Sequence, residues 1–213
     1  MTDPTQDEKT EALQEVYLSD NPKKTSAIYN DWFENYEQHM TCAGYTHPAM
    51  VASIFSRYQH PAAGPVLDAG CGTGVMGVIL SALGFTKVHG FDASEGMLKF
   101  AAARKFYADL RRDRFGETLP YADNQFDSCV SSGVFTQGHA PLDGLDELIR
   151  ATKLGGHIAF SILRTYLGKM FENKAQALEQ AGKWHRVDSS GYYDSAPLSD
   201  DVLTAQVFAF AVT

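Results

Sequence analysis

The chain has 213 residues, enough for one domain with a sizeable core. Hydrophobic residues make up 44% and charged residues 21%, a globular balance that excludes a disordered chain, and no apolar run approaches the length of a membrane span. The formal charge is −8 with no basic block, which disfavours a nucleic-acid phosphate backbone as the main partner.

The start, Met1 to Thr10, is polar and acidic and lacks the apolar core of a signal peptide. Cys42, Cys71 and Cys129 are far apart and odd in number. They point to free thiols in a reducing compartment, with no disulfide and no metal site. The expected location is the cytoplasm. Leu13, Val16 and Tyr17 predict a short helix over 8–17. After the Asn21-Pro22 break, a second helix is expected from Lys24 to Met40. Its Ile28, Trp32, Tyr36 and Met40 recur at helical spacing, with Tyr29 and Phe33 beside them. A third helix starts at Thr46-His47-Pro48 and runs to about Tyr58, with Met50, Val51, Ile54 and Phe55 as its buried stripe. Residues 1–60 thus read as a helical cap, and residues 61–213 as the core of the single domain.

Pro61-Ala62-Ala63-Gly64-Pro65 punctuates the chain before a strand at Val66 to Asp68. A helix follows over Gly74 to Leu83, with Gly84 as its stop. The second strand is Lys87 to Phe91, and Ser94-Glu95-Gly96-Met97 opens the next helix. A third strand is placed within Phe106 to Asp113 and a fourth at Phe126 to Ser131. Leu142 to Lys153 makes a helix, Leu154-Gly155-Gly156 a turn, and His157 to Ile162 the fifth strand. A helix over Leu167 to Ala181 ends at Gly182. Trp184 to Val187 and Ala205 to Val212 are the last two strands, and the latter is covered on both faces. This alternation predicts a doubly wound α/β sheet.

The most informative stretch is Val66-Leu67-Asp68-Ala69-Gly70-Cys71-Gly72-Thr73-Gly74. A short apolar strand breaks into three alternate glycines and then a helix. This geometry lets a nucleotide-like ligand lie against bare backbone at a helix N-terminus. Asp92 closes the second strand eighteen residues after Gly74, an acid whose ionised carboxylate accepts hydrogen bonds and donates none.

The run VLDAGCGTG resembles the first motif of the class I S-adenosylmethionine-dependent methyltransferases. Leu119-Pro120-Tyr121 to Phe126-Asp127 and Leu154-Gly155-Gly156 resemble later family segments, although the family's proline before the last glycine pair is missing. Tyr29-Asn30-Asp31-Trp32, His89 to Leu98 and Glu147 to Gly156 are similar to a narrower group, the Williams–Beuren syndrome region methyltransferase-like proteins. The likeness spans blocks between Tyr29 and Trp184. It implies a Rossmann-like, seven-stranded, mostly parallel sheet with a reversed last strand and a helical N-terminal lid. It also implies S-adenosyl-L-methionine as cofactor. Asp68, Ala69, Gly70, Cys71, Gly72, Gly74, Asp92, Ala93 and Met97 would surround it. Asp113, Arg114 and Phe115 would border the adenine, and Ser131 and Gly133 the far end. Tyr29, Trp32 and Tyr36 would close over the sulfonium. His139, in the loop after strand four, is the candidate general base.

A nicotinamide site competes, because Gly72-Thr73-Gly74-Val75-Met76-Gly77 matches G-x-G-x-x-G. A dinucleotide fingerprint begins directly after its strand, however, and leaves Asp68 and Gly70 without a role. No Asn/Asp-Pro-Pro-Tyr/Phe segment and no Pro-Cys pair marks a polymer substrate. The expected function is methyl transfer to an O, N or S atom of a small molecule. A non-catalytic cofactor-binding protein is the alternative from another class.

Overall fold

In this computed structural model, residues 35–136, 139–164, 168–199 and 202–213 are described. The helices expected before residue 35 lie outside them, as do Tyr29 and Trp32; residues 35–42 are helical. The elements that follow are α1 (His47–Phe55), β1 (Val66–Ala69), α2 (Val75–Ala82), β2 (Val88–Asp92), α3 (Glu95–Ala103) and β3 (Tyr107–Arg112). After them come β4 (Phe126–Phe135), α4 (Gly144–Ala151), β5 (Thr152–Leu163), α5 (Lys169–Gln180), β6 (Trp184–Ser189), β7 (Tyr193–Asp194) and β8 (Thr204–Val212).

The sheet order is β3-β2-β1-β4-β5-β8-β6, with the two-residue β7 paired to β8. β1 to β5 pair in parallel, while β8 runs antiparallel to β5, β6 and β7. The doubly wound sheet with its reversed last strand is therefore present. Sequence periodicity missed β7, because two residues carry no period.

Each face of the sheet buries its own apolar cluster. On one, Phe91, Phe126, Phe135, Phe160, Phe208 and Phe210 pack with Leu145 and Leu148 of α4 and Phe171 of α5. Trp184 stacks on Phe210 at 3.9 Å between centroids, and its indole N–H donates to the Ala175 carbonyl at 3.2 Å. Such ring pairs add about 0.5–1.5 kcal/mol beyond their buried area. On the other face, Val51, Ala52, Ile54 and Phe55 of α1 pack with Met76 and Leu80 of α2 against Val66, Val130, Ala159 and Val207. α1, grouped above with the cap, thus packs into the core of the sheet.

β5 also departs from its expected limits. It begins at Thr152, and Leu154-Gly155-Gly156 lies inside it as an irregular stretch. The register jumps there from Phe126↔Thr152 to Ser128↔His157. Gly155 has φ 76°, and a Cβ on Gly156 would run into the Asp127 carbonyl, so only glycines fit this excursion. Arg150 and Glu147 of α4 hold the preceding loop. Arg150 donates to the carbonyls of Leu119 (3.0 Å) and Tyr121 (2.7 Å), and Glu147 accepts from the Leu119 amide (2.8 Å).

Candidate functional site

The site forms where β1 ends. Gly70 and Cys71 both donate their amides to the Phe91 carbonyl at 2.9 Å, which ties the turn to the end of β2. Gly70, Gly72 and Gly74 all have positive φ, and Gly74 (φ 87°, ψ 20°) caps α2. The three glycines do different things. A Cβ at Gly70 would stand 2.5 Å from Val134, and one at Gly74 would stand 3.1 Å from the Ala101 backbone and the Tyr107 ring. At Gly72 nothing lies within 4 Å of that position, so its backbone is open. This open surface fits a ligand lying against the turn.

Asp92 reaches the turn from the tip of β2. One oxygen accepts from the Gly72 amide at 2.9 Å and the other from the Ser94 amide at 2.8 Å. Burial pushes its carboxyl up from the ordinary carboxylate range, and the backbone amides of Ser94, Gly72 and Ala93 pull it back. An ionised carboxylate has about four acceptor positions, so both oxygens can still accept from a diol. Ser94 caps α3 by accepting from the Met97 amide at 3.2 Å, and Met97 is buried beneath. Ala93 lends its carbonyl to Arg112 at 3.3 Å. Asp113 donates its amide to the Asp92 carbonyl at 3.1 Å, and its side chain accepts from the Arg114 amide at 3.0 Å. Phe115 packs edge-on against Phe91 at 5.1 Å, partly within the core.

Asp68 occupies a different environment. It is fully buried, and Tyr107 donates its hydroxyl to one oxygen at 2.6 Å while accepting from the Gly77 amide at 3.1 Å. The other oxygen has no partner. Burial raises the Asp68 carboxyl to about 7, against the Tyr107 hydrogen bond that lowers it. Burial also pushes the Cys71 thiol well up, with the Asp68 and Asp92 charges adding to it, so the thiol is inert at neutral pH. Ala69 is buried, and its carbonyl accepts from the Ser131 hydroxyl at 2.8 Å.

A cavity of about 160 Å³ lies over the turn, walled by Gly70 to Thr73, Ser132, Met76, Tyr36, Met40 and Tyr45 among others. Its roof comes from helical residues 35–42. Arg104 of α3 fastens that helix by donating to the Thr73 carbonyl at 2.7 Å and pairing with Glu37. Of the three aromatics expected over the cofactor, Tyr36 is described and lines the cavity. Gly133 has φ 70° and is covered by the Tyr45 hydroxyl. His139 stands in the loop after β4, its Nδ1 2.6 Å from the Thr136 hydroxyl and away from the cavity wall.

Sequence reasoning missed Tyr107, Arg104, Tyr45 and Glu37. Paired glycines offered one signal: a Cβ at Gly77 or Gly90 would meet the Tyr107 ring within 2.6 and 3.0 Å. Among the described residues no group of three or more His, Cys, Asp or Glu could hold a metal, and no helix is long and apolar enough to cross a membrane.

Residues 67–160 match the family model of a methyltransferase domain. The human Methyltransferase-like protein 27 is 31% identical over 164 residues, covering 74% of this chain and 66% of that protein. A demethylmenaquinone methyltransferase of Clavibacter sepedonicus is 32% identical, covering 66% of this chain and 58% of its own length. The chain thus spans 58% to 66% of the length of these relatives. A TehB-like S-adenosylmethionine-dependent methyltransferase of Corynebacterium glutamicum shares the fold, with TM-score 0.60, 23% identity and coverage of 85% of this chain and 98% of that one. The matched domain begins inside β1 and takes in the glycine turn, Asp92 and β4. Over residues 67–160 the chain carries a methyltransferase domain, and its fold is that of the S-adenosylmethionine-dependent methyltransferases.

Proposed function

We propose that the protein transfers a methyl group from S-adenosylmethionine to an O, N or S atom of a small-molecule acceptor. The observation that carries this reading is the cavity over Gly70–Thr73, closed above by Tyr36, Met40 and Tyr45. A roof so near the glycine turn leaves room for a compact acceptor and little for a polymer. The charge of −8 argues the same way. The relative named as a demethylmenaquinone methyltransferase is named for a small acceptor and supports that part of the reading. The narrower kinship with the Williams–Beuren syndrome region group belongs to the same proposal; the human relative, at 31% identity, is consistent with it.

The cofactor supplies a methyl already activated on a sulfonium. The chain's task is to bind, orient and exclude water. In this reading Asp92 accepts from the ribose hydroxyls and the Gly72 backbone lies against the cofactor. Met97 and Phe115 flank the adenine, while Gly133 and Tyr36, with Tyr29 and Trp32, bound the methionine end. His139 would take the proton of an acceptor that needs one removed. Labelled S-adenosylmethionine tests the reading against a panel of small phenols, thiols, amines and carboxylates, with total RNA as a separate arm. Label on a small acceptor is expected. Label on RNA alone, or none anywhere with the cofactor bound, would overturn it.

A further inference from the structure

His47, the first residue of α1, is buried beside the cavity, and no mechanism above uses it. Its Nδ1 lies 2.6 Å from the Tyr193 hydroxyl, and its Nε2 has no partner. Pro48, the next residue, and Tyr45, two residues before, line the cavity. Its Cδ2 stands 3.4 Å from where a Cβ on Gly133 would be, which places the ring edge at the tip of β4. Tyr45 lies edge-on to His47 at 5.2 Å and itself lines the cavity.

Hydrogen-bond accounting sets the tautomer. The Gly133 amide donates to the Ser161 hydroxyl oxygen at 2.8 Å. If His47 Nδ1–H donated to Tyr193, the Tyr193 proton and the Nε2 lone pair would both be left without a partner. The arrangement that leaves fewer buried groups unsatisfied has the Tyr193 hydroxyl donating to His47 Nδ1. The ring proton then sits on Nε2. Burial lowers the His47 imidazole to about 3, so it is neutral at physiological pH. Such a ring is a poor base and a good neutral donor.

We propose that His47 Nε2–H, backed by Tyr193 on Nδ1, donates the hydrogen bond that orients the methyl acceptor, which therefore carries an accepting oxygen such as a carboxylate or phenolate. The proposal rests on the methyl-transfer reading above for the word acceptor. Tyr45, which meets both the His47 ring and the cavity, is the side chain that must turn aside for the donor to reach an acceptor there.

Nitrogen-15 NMR of the full chain, labelled at histidine, reads the tautomer. His47 should carry its proton on Nε2 and remain neutral from pH 5 to 8, and Tyr193→Phe should lower the Nε2–H share. With S-adenosylhomocysteine saturating, benzoate should shift the Nε2–H resonance and bind at least tenfold more weakly to His47→Phe. Benzylamine, a donor-only headgroup, should show no such loss. A wild-type proton on Nδ1 overturns the proposal, as do equal benzoate affinities. A full shift on S-adenosylhomocysteine alone would assign Nε2 to the cofactor and overturn it too. If His47→Phe does not fold, Tyr193→Phe carries the test through the tautomer. No labelled product from any acceptor, with the NMR results as expected, would sink the enzymatic reading and leave the donor role supported.

Discussion

Asp92 and Asp68 are both strand-end carboxylates, yet their surroundings divide their roles. Asp92 keeps spare acceptor positions beside an open backbone, so Asp92→Ala should weaken S-adenosylhomocysteine binding by about 2–4 kcal/mol, measured by calorimetry. Unchanged affinity in the folded variant would reject the ribose assignment. Asp68 faces Tyr107, and its raised value of about 7 has a definite sign in stability. The folded state holds the proton between the ordinary 3.8 and about 7, while the unfolded state releases it. Stability without ligand should therefore fall as pH rises through that window. Buried His47 pulls the opposite way at the acid end, so wild type must be compared with Asp68→Asn. Urea midpoints from pH 4 to 8 should show the extra downward slope in wild type alone. The place of Asp92, at the end of β2 and against the glycine turn, was legible from spacing. The burial of Asp68 was not, because its partner sits thirty-nine residues on, in the strand with the weakest apolar pattern.

At the level of elements, the roof and its fastening invite two measurements. Residues 20–42 should gain hydrogen-exchange protection when S-adenosylhomocysteine binds, as a lid closing over a ligand would. Equal protection in both states would make the segment fixed core. Arg104 links α3 to the turn and to Glu37, so Arg104→Ala should cost about 1–2 kcal/mol in cofactor affinity. The pair is partly exposed, which holds the figure below that of a buried charged bond. Calorimetry with wild type alongside reads the difference directly. Helix and strand order followed from period and glycine punctuation, down to the stops at Gly84 and Gly182, both at positive φ. The Gly155-Gly156 excursion was read as a turn because glycine pairs mark turns and irregular strand alike.

For the whole molecule, the open Gly72 backbone and the Asp92 acceptor make one choice of cofactor. S-adenosylmethionine and S-adenosylhomocysteine should bind in calorimetry with no comparable NAD binding, and the reverse order would refute it. The connection into α1 also joins distant parts of the chain. Thr46 donates its amide to the Ser195 carbonyl at 2.9 Å, and Leu198 donates its own to Ala43 at 3.0 Å. Those partners are about 150 residues apart, so closing them carries a large loop entropy and waits on the rest of the sheet. On the ribosome, the wall that holds Tyr45 and His47 therefore cannot set until residues past 198 have emerged. A nascent chain has its glycine turn long before it has an enclosed chamber, and the stretch from Ser195 to Leu198 decides when α1 acquires its purpose.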